Sequence, residues 1–331
     1  CAGLGSVACV VFHRGTDLFH GRRRFLQGAG LFFGALAQIL VALRDLRTRG
    51  GHAIGVLPHT LDDLPQLRAV QPNLQLLNKP VIDTLRLNPL AFPKNPYHHL
   101  VKHYQDGQLL VNRKNDPLLD AGLALQVFCD QEASLKHIQQ SNPGLMLAWH
   151  WLTTRDQSVS GLNRFFMKVR GLAQPKDDQA HAAITSLLAD QSCASAAQNI
   201  VTTASGHAWP LAYALAWLSV AGSNSVMPPW VRFQFPDAGR LIRQLRDTPC
   251  SAPDCHWCRR EHDARQQLQR WYGANYDFRP EPVDKDSGHP LQQVIVECSM
   301  RGEHNLGILP TGTGKSLCYQ IPALSRFVRT G

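Results

Sequence analysis

Near the carboxy-terminal end of the sequence, Ile308-Leu309-Pro310-Thr311-Gly312-Thr313-Gly314-Lys315-Ser316 joins an apolar run to a segment of helical spacing. Glycines ahead of Lys-Ser let backbone N–H groups turn inward. Lys315 supplies a cation and the Ser316 hydroxyl can ligate Mg²⁺, a combination that cradles phosphate. Lys315 and Ser316 are therefore the candidate catalytic pair, with Thr311, Gly312, Thr313 and Gly314 as candidate phosphate-binding residues. Leu309 stands where the usual pattern has its first glycine.

A second constellation is Cys250-x4-Cys255-x2-Cys258, with His262 three intervening residues further on. Thiolates so closely spaced can converge on one metal, whereas cysteines kept only for packing rarely cluster. His262 as fourth ligand makes a local Cys₃His zinc knuckle. Cys193 as a remote fourth ligand makes the one-far, three-near arrangement of an iron–sulfur centre. Both sets, and both Zn²⁺ and a 4Fe–4S cluster, stay open at this level, as does a plain cysteine-containing loop bounded by Pro249 and Pro253.

These residues need elements to hold them. The apolar run Leu306 to Leu309 reads as a buried strand, and Leu317, Gln320, Ile321 and Leu324 fall on one helical face beyond the glycines. Arg240, Arg243 and Arg246 repeat on a predicted helix and offer a stripe to phosphates or to solvent. Ala208 to Leu218 reads as a helix buried by Trp209, Tyr213 and Trp217. Trp149 and Trp151 mark another apolar patch, for core packing rather than base stacking. Upstream, Val7 to Phe12 and Val81 to Leu85 read as strands, His52 to Leu57 as a short strand or turn, and Leu31 to Leu46 and Leu118 to Ser134 as helices.

Length and charge bound the answer. The 331 residues allow two or three domains, and the net charge of +9 suits a polyanionic partner. No apolar run reaches the length of about 18 residues that a membrane span needs. The nine cysteines lack a preceding signal peptide, so reduced thiols in a cytoplasmic setting are expected. The chain starts at Cys1 and stops 16 residues after Lys315, which reads as an internal fragment.

From Arg270 onward the chain resembles the RecQ family of DNA helicases. The resemblance is carried by Tyr272-Gly273, Phe278-Arg279-Pro280, Leu291-Gln292-Gln293, and Pro310 to Gln320 with Ile321-Pro322-Ala323-Leu324. The departure at Leu309 agrees with it, since superfamily-two helicases commonly lack that glycine. The resemblance implies an ATP site in which Gln292, helped by Arg279, contacts adenine, although the insertion Glu281 to His289 separates the two. A plain helix-surface role for Gln292 is the alternative.

The first segment resembles the DnaQ-like (DEDD) exonuclease domain. The matching residues are Gly51-His52, Asp63-Leu64-Pro65, Pro80 to Leu85, Pro89 to Pro93, Asn95 to His98, Asn115 to Pro117 and Asp120-Ala121. In that family four acids hold two metal ions that assist water attack on a phosphodiester. Asp63 and Asp120 match two of the acids, the first acidic motif is absent, and Asn115 or Asp116 replaces the general base. The segment is therefore expected to be an inert remnant. The cysteines look like the one-remote, three-close clusters of DNA-repair helicases and nucleases.

Together these readings give an α/β chain in three parts. Residues 1–135 are expected as a degenerate ribonuclease H-like exonuclease fold, 136–265 as a mostly helical middle with the metal module, and 266–331 as the start of a RecA-like helicase lobe. The implied function is part of a bacterial ATP-dependent 3′-to-5′ DNA helicase of repair or recombination, using ATP and Mg²⁺ on single-stranded or partly duplex DNA. The fragment alone is expected to lack useful ATPase and unwinding activity. The competing class is a non-catalytic DNA-binding scaffold.

Overall fold

The structure is a computed structural model that describes residues 55–57, 69, 72–73, 81–95, 117–155, 161–189, 191–220, 227–252 and 254–330. The expected strand at Val7 to Phe12, the helix at Leu31 to Leu46 and the candidate acid Asp63 lie outside the described residues. The chain divides into two compact units, Cys1–Asp177 and Asp178–Gly331. That division falls inside the stretch read as a helical middle.

In the first unit, β1 (Gly55–Leu57) runs parallel to β2 (Val81–Asp83), with Gly55 opposite Val81 and Leu57 opposite Asp83. The strand expected through Leu85 stops at Asp83. The Asp83 carboxylate accepts the Arg86 N–H at 3.1 Å and so caps α1 (Thr84–Ala91). Three helices follow: α2 (Pro117–Ser141), α3 (Pro143–Thr154) and α4 (Gly161–Arg170). Asn142 caps α3 and Pro143 opens it, a combination that fixes a helix start. Ile82, Leu87, Leu90, Phe128, Leu135 and Phe166 form the core with Trp149 and Trp151. Both tryptophans are therefore packing residues, unable to stack on bases.

Two polar side chains inside this core find partners, although Gln131 Oε1 is buried without one. Gln131 Nε2 donates to the Thr84 carbonyl at 2.9 Å and to Asn88 Oδ1 at 2.8 Å. Glu132, almost fully buried, meets Lys136 at 2.7 Å and Lys168 at 3.4 Å. The helical reading of Leu118 to Ser134 underestimates α2, which continues to Ser141.

The expected ribonuclease H-like sheet is not what the described residues form. Their sheet has two strands of three residues, and the described chain is otherwise mostly helical. A wide sheet needs several strands to satisfy one another's backbone groups, and two short ones leave the helices to build the core. Asp120 falls within α2, and its side chain lies outside the described residues.

The second unit contains α5 (Asp177–Leu188, which opens at the boundary), α6 (Ala194–Thr203), α7 (Ala208–Leu218), α8 (Pro229–Gln234) and α9 (Pro236–Arg246). These are followed by α10 (His256–His262), α11 (Ala264–Tyr272), α12 (Leu291–Met300) and α13 (Ser316–Thr330). The α7 helix has the predicted bounds. Its Tyr213 is buried against Trp209, Trp230 and Phe235 at ring separations of 5.5, 5.9 and 5.2 Å. Among the described residues no helix is long and apolar enough to cross a membrane.

Candidate functional site

The phosphate-loop candidate sits at the start of α13. Ala264, Leu268, Phe278, Val296, Met300 and Ile321 form one buried cluster that joins α11, α12 and α13, with Tyr272 and Leu317 packed on it. This cluster fixes the helix beneath the loop. Tyr272 Oη donates to Gln320 Oε1 at 2.7 Å, and Ser325 Oγ donates to the buried Gln267 Oε1 at 2.7 Å. Gln320 and Tyr272, both in the resembling motifs, thus bind each other.

The loop itself has two residues in the left-handed region, Gly312 at φ 84° and Gly314 at φ 76°. Gly314 is additionally confined, because a Cβ there would stand 2.8 Å from Gln292 Nε2. Thr313 Oγ1 donates to the Pro310 carbonyl at 2.7 Å and closes the turn. Lys315, immediately before α13, and Ser316, its first residue, are exposed, as are Thr311 and Gly312, while Thr313 and Gly314 are half-buried.

Gln292 and Arg279 both reach the loop. Arg279 Nη1 donates to the Gly312 carbonyl at 2.7 Å, and Gln292 Oε1 accepts the Arg279 N–H at 2.9 Å. Gln292 Nε2 donates to the carbonyls of Thr313 and Gly314, the latter at 3.1 Å. Gln292 is almost fully buried, so it is not the surface residue of the alternative reading. Its amide is engaged by this chain's own backbone and serves here as a brace between the Arg279 segment and the loop.

Replacing Gln292 by alanine leaves a buried N–H and two loop carbonyls without that brace. At about 1–2 kcal/mol for such a loss, the unfolding equilibrium should shift roughly 5- to 30-fold toward the unfolded chain. Denaturant unfolding of the 331-residue chain checks this. Unchanged stability would show that Gln292 does not brace the loop.

The apolar run Leu306 to Leu309 departs from the expected buried strand. It forms no ladder among the described residues. Leu306 and Ile308 are 86% and 80% exposed, while Leu309 is buried. Gly307 lies against Ile295, where a Cβ would meet Cδ1 at 2.7 Å. Only Leu309 of the run turns inward, and a strand is defined by a neighbour's backbone, which none of the described residues supplies.

The cysteines converge. Cys193, Cys250, Cys255 and Cys258 place their sulfurs within 4.8 Å of one another, close enough to bind a metal ion. Cys193 is the N-cap of α6, and its Sγ accepts the Ala196 N–H at 3.4 Å. Cys258 Sγ lies 3.5 Å from Cys250 Sγ and accepts the Cys250 N–H at 3.3 Å. Cys255 immediately precedes α10. His262 closes that helix and packs its ring 5.6 Å from Trp257, outside the cluster.

Burial pushes the Cys193 thiol up and pushes the Cys258 thiol far up, while a backbone hydrogen bond with Ala252 holds Cys250 down. Cys193 and Cys258 therefore stay protonated unless a cation joins them.

The arginine stripe is only partly available. Arg240 pairs with Asp237 at 3.1 Å, and Arg246 is buried with its guanidinium on Gln191 Oε1. Arg243 is exposed. Asp120 and the four cysteines belong to different units, and the residues of the phosphate loop share the second unit with the cysteines. No protein-family description and no solved structure matches the chain.

Proposed function

We propose that this chain is part of an ATP-dependent 3′-to-5′ DNA helicase of the RecQ type, carrying its phosphate-binding loop and its adenine-side segment. The observation that carries the reading is the linkage of Gly312, Thr313 and Gly314 to Arg279 and Gln292, with Lys315 free to face solvent at a helix start. A helix N-terminus, an adjacent cation and a serine hydroxyl together suit a Mg²⁺-bound triphosphate. The Arg279 segment lies against the same loop, which suits a purine next to the phosphates.

In this reading Lys315 neutralises the terminal phosphates and Ser316 ligates Mg²⁺, since phosphoryl transfer depends on positioned charge rather than on a covalent intermediate. ATP turnover then drives movement along one DNA strand in repair or recombination. The four cysteines of the same unit hold either Zn²⁺ or an iron–sulfur cluster. The test is nucleotide competition: Mg·ATP should displace a fluorescent ATP analogue from the chain, and equal displacement by tripolyphosphate would reduce the site to a generic anion binder.

A further inference from the structure

We propose that Cys193, Cys250, Cys255 and Cys258 bind a single Zn²⁺ in a tetrahedral all-thiolate site that staples the start of α6 to the segment joining α9 and α10. This rests on reading the four cysteines as a metal site and goes beyond it by choosing the occupant.

Geometry makes the choice. Four thiolates at about 2.3 Å from one zinc ion stand roughly 3.8 Å apart. Here all four sulfurs lie within 4.8 Å of one another and one pair is 3.5 Å apart. A 4Fe–4S cube places an iron atom between each thiolate and the cluster body, so its ligands must stand considerably further apart. The four sulfurs surround a space for one ion. The alternative of a disulfide is excluded, because all four cysteines are free and the 3.5 Å separation is far beyond a bond of about 2.05 Å.

The surroundings fit the same occupant. Zinc thiolate sites are commonly supported by hydrogen bonds to the ligating atoms. The N–H groups of Ala196 and Cys250 supply two, to Cys193 Sγ and Cys258 Sγ. Cys193 and Cys258 are buried and Cys250 and Cys255 half-buried, a closed set of four ligands with no place for substrate. Zn²⁺ binding to four thiols releases up to four protons to solvent and leaves a centre of net charge −2, with no change of oxidation state. The ion closes the loop between Cys193 and Cys250, adding to the helix packing and to the Arg246–Gln191 hydrogen bond beside it.

The experiment is metal analysis of the 331-residue chain purified anaerobically, so that an oxygen-labile cluster survives. One equivalent of zinc, no acid-labile sulfide and no visible absorption are expected. Cys258→Ser should lose most of the zinc. Because that variant could fail to fold, Co²⁺ exchange into the wild-type chain is the second measurement, with the thiolate charge-transfer and intense d–d bands of a tetrahedral sulfur site expected. Iron in place of zinc overturns the proposal, and iron with sulfide restores the cluster while keeping the metal site. Four freely titrating thiols with neither metal, and no cobalt spectrum, overturn both.

Discussion

In the proposed helicase, replacing Lys315 by alanine is expected to abolish ATP-driven unwinding while DNA binding survives. The side chain is exposed immediately before α13. Its removal should leave stability within about 0.5 kcal/mol, the usual range for a surface change away from special features. Its loss matters only when an anion is bound. A charge-assisted contact to phosphate contributes about 1.5–3 kcal/mol, so Mg·ATP affinity should fall roughly 10- to 150-fold. The effect on turnover should be larger, because in the proposed site charge develops on the transferring phosphoryl group and Lys315 would meet it. Lys315→Arg keeps the charge but not its placement, and should recover affinity more than unwinding. Three measurements are needed: nucleotide titration, DNA binding and strand separation. If DNA binding fell in parallel with unwinding, Lys315 would be a contact to DNA, and the scaffold reading would gain what the motor reading lost.

The parts of this site that were legible in the sequence are those whose chemistry is local. Glycines at fixed spacing announce a tight loop ahead of a helix because backbone freedom is a property of neighbouring residues, and Gly312 and Gly314 take left-handed conformations there. The helix after it followed from Leu317, Ile321 and Leu324, and α7 from its aromatic spacing. Non-local facts were harder. The choice between Cys193 and His262 could not be made from spacing, since Cys193 reaches the cluster by the packing of α6 and α9. Gln292 was legible as a site residue but not as a brace, because its three bonds span loops far apart in the chain.

The arginine stripe shows how a period misleads. A step of three residues turns an α-helix by about 300°, so two steps carry Arg246 roughly 120° away from Arg240. That rotation takes Arg246 off the exposed face and onto the buried side, where its guanidinium meets Gln191 Oε1. The run at 306–309 misleads differently. Apolar residues in sequence say that a strand wants burial, but burial comes from partner strands, and period alone cannot supply them. The strand predicted through Leu85 ends early for a related reason: β2 gives way to α1 as soon as Asp83 can cap it.

Acid should loosen the first unit through His150. This residue is fully buried on α3, with Phe166 stacked on its ring at 5.4 Å. Its Nε2 is 2.7 Å from Asn163 Oδ1 and its Nδ1 is 2.7 Å from Arg170 Nη1. Only the neutral ring suits both neighbours, with Nε2–H donating to Asn163 and Nδ1 accepting from Arg170. A second proton would put an N–H against a guanidinium N–H. Burial chiefly, and the Arg170 charge as well, lower the pKa from 6.5 to about 4, against an opposing pull from the Asn163 hydrogen bond. The sign follows from proton uptake. Between about 6.5 and about 4 the unfolded chain holds a proton on His150 that the folded chain refuses, so stability falls with pH across that window. The loss is at most about 3 kcal/mol and is complete near the lower limit. His150→Gln can still donate to Asn163 but cannot take up a proton. It should start less stable near neutrality and lose less on acidification. Hydrogen exchange along α3, corrected for the intrinsic pH dependence, reads the difference, and parallel losses in the two proteins would show that His150 is not the group that titrates.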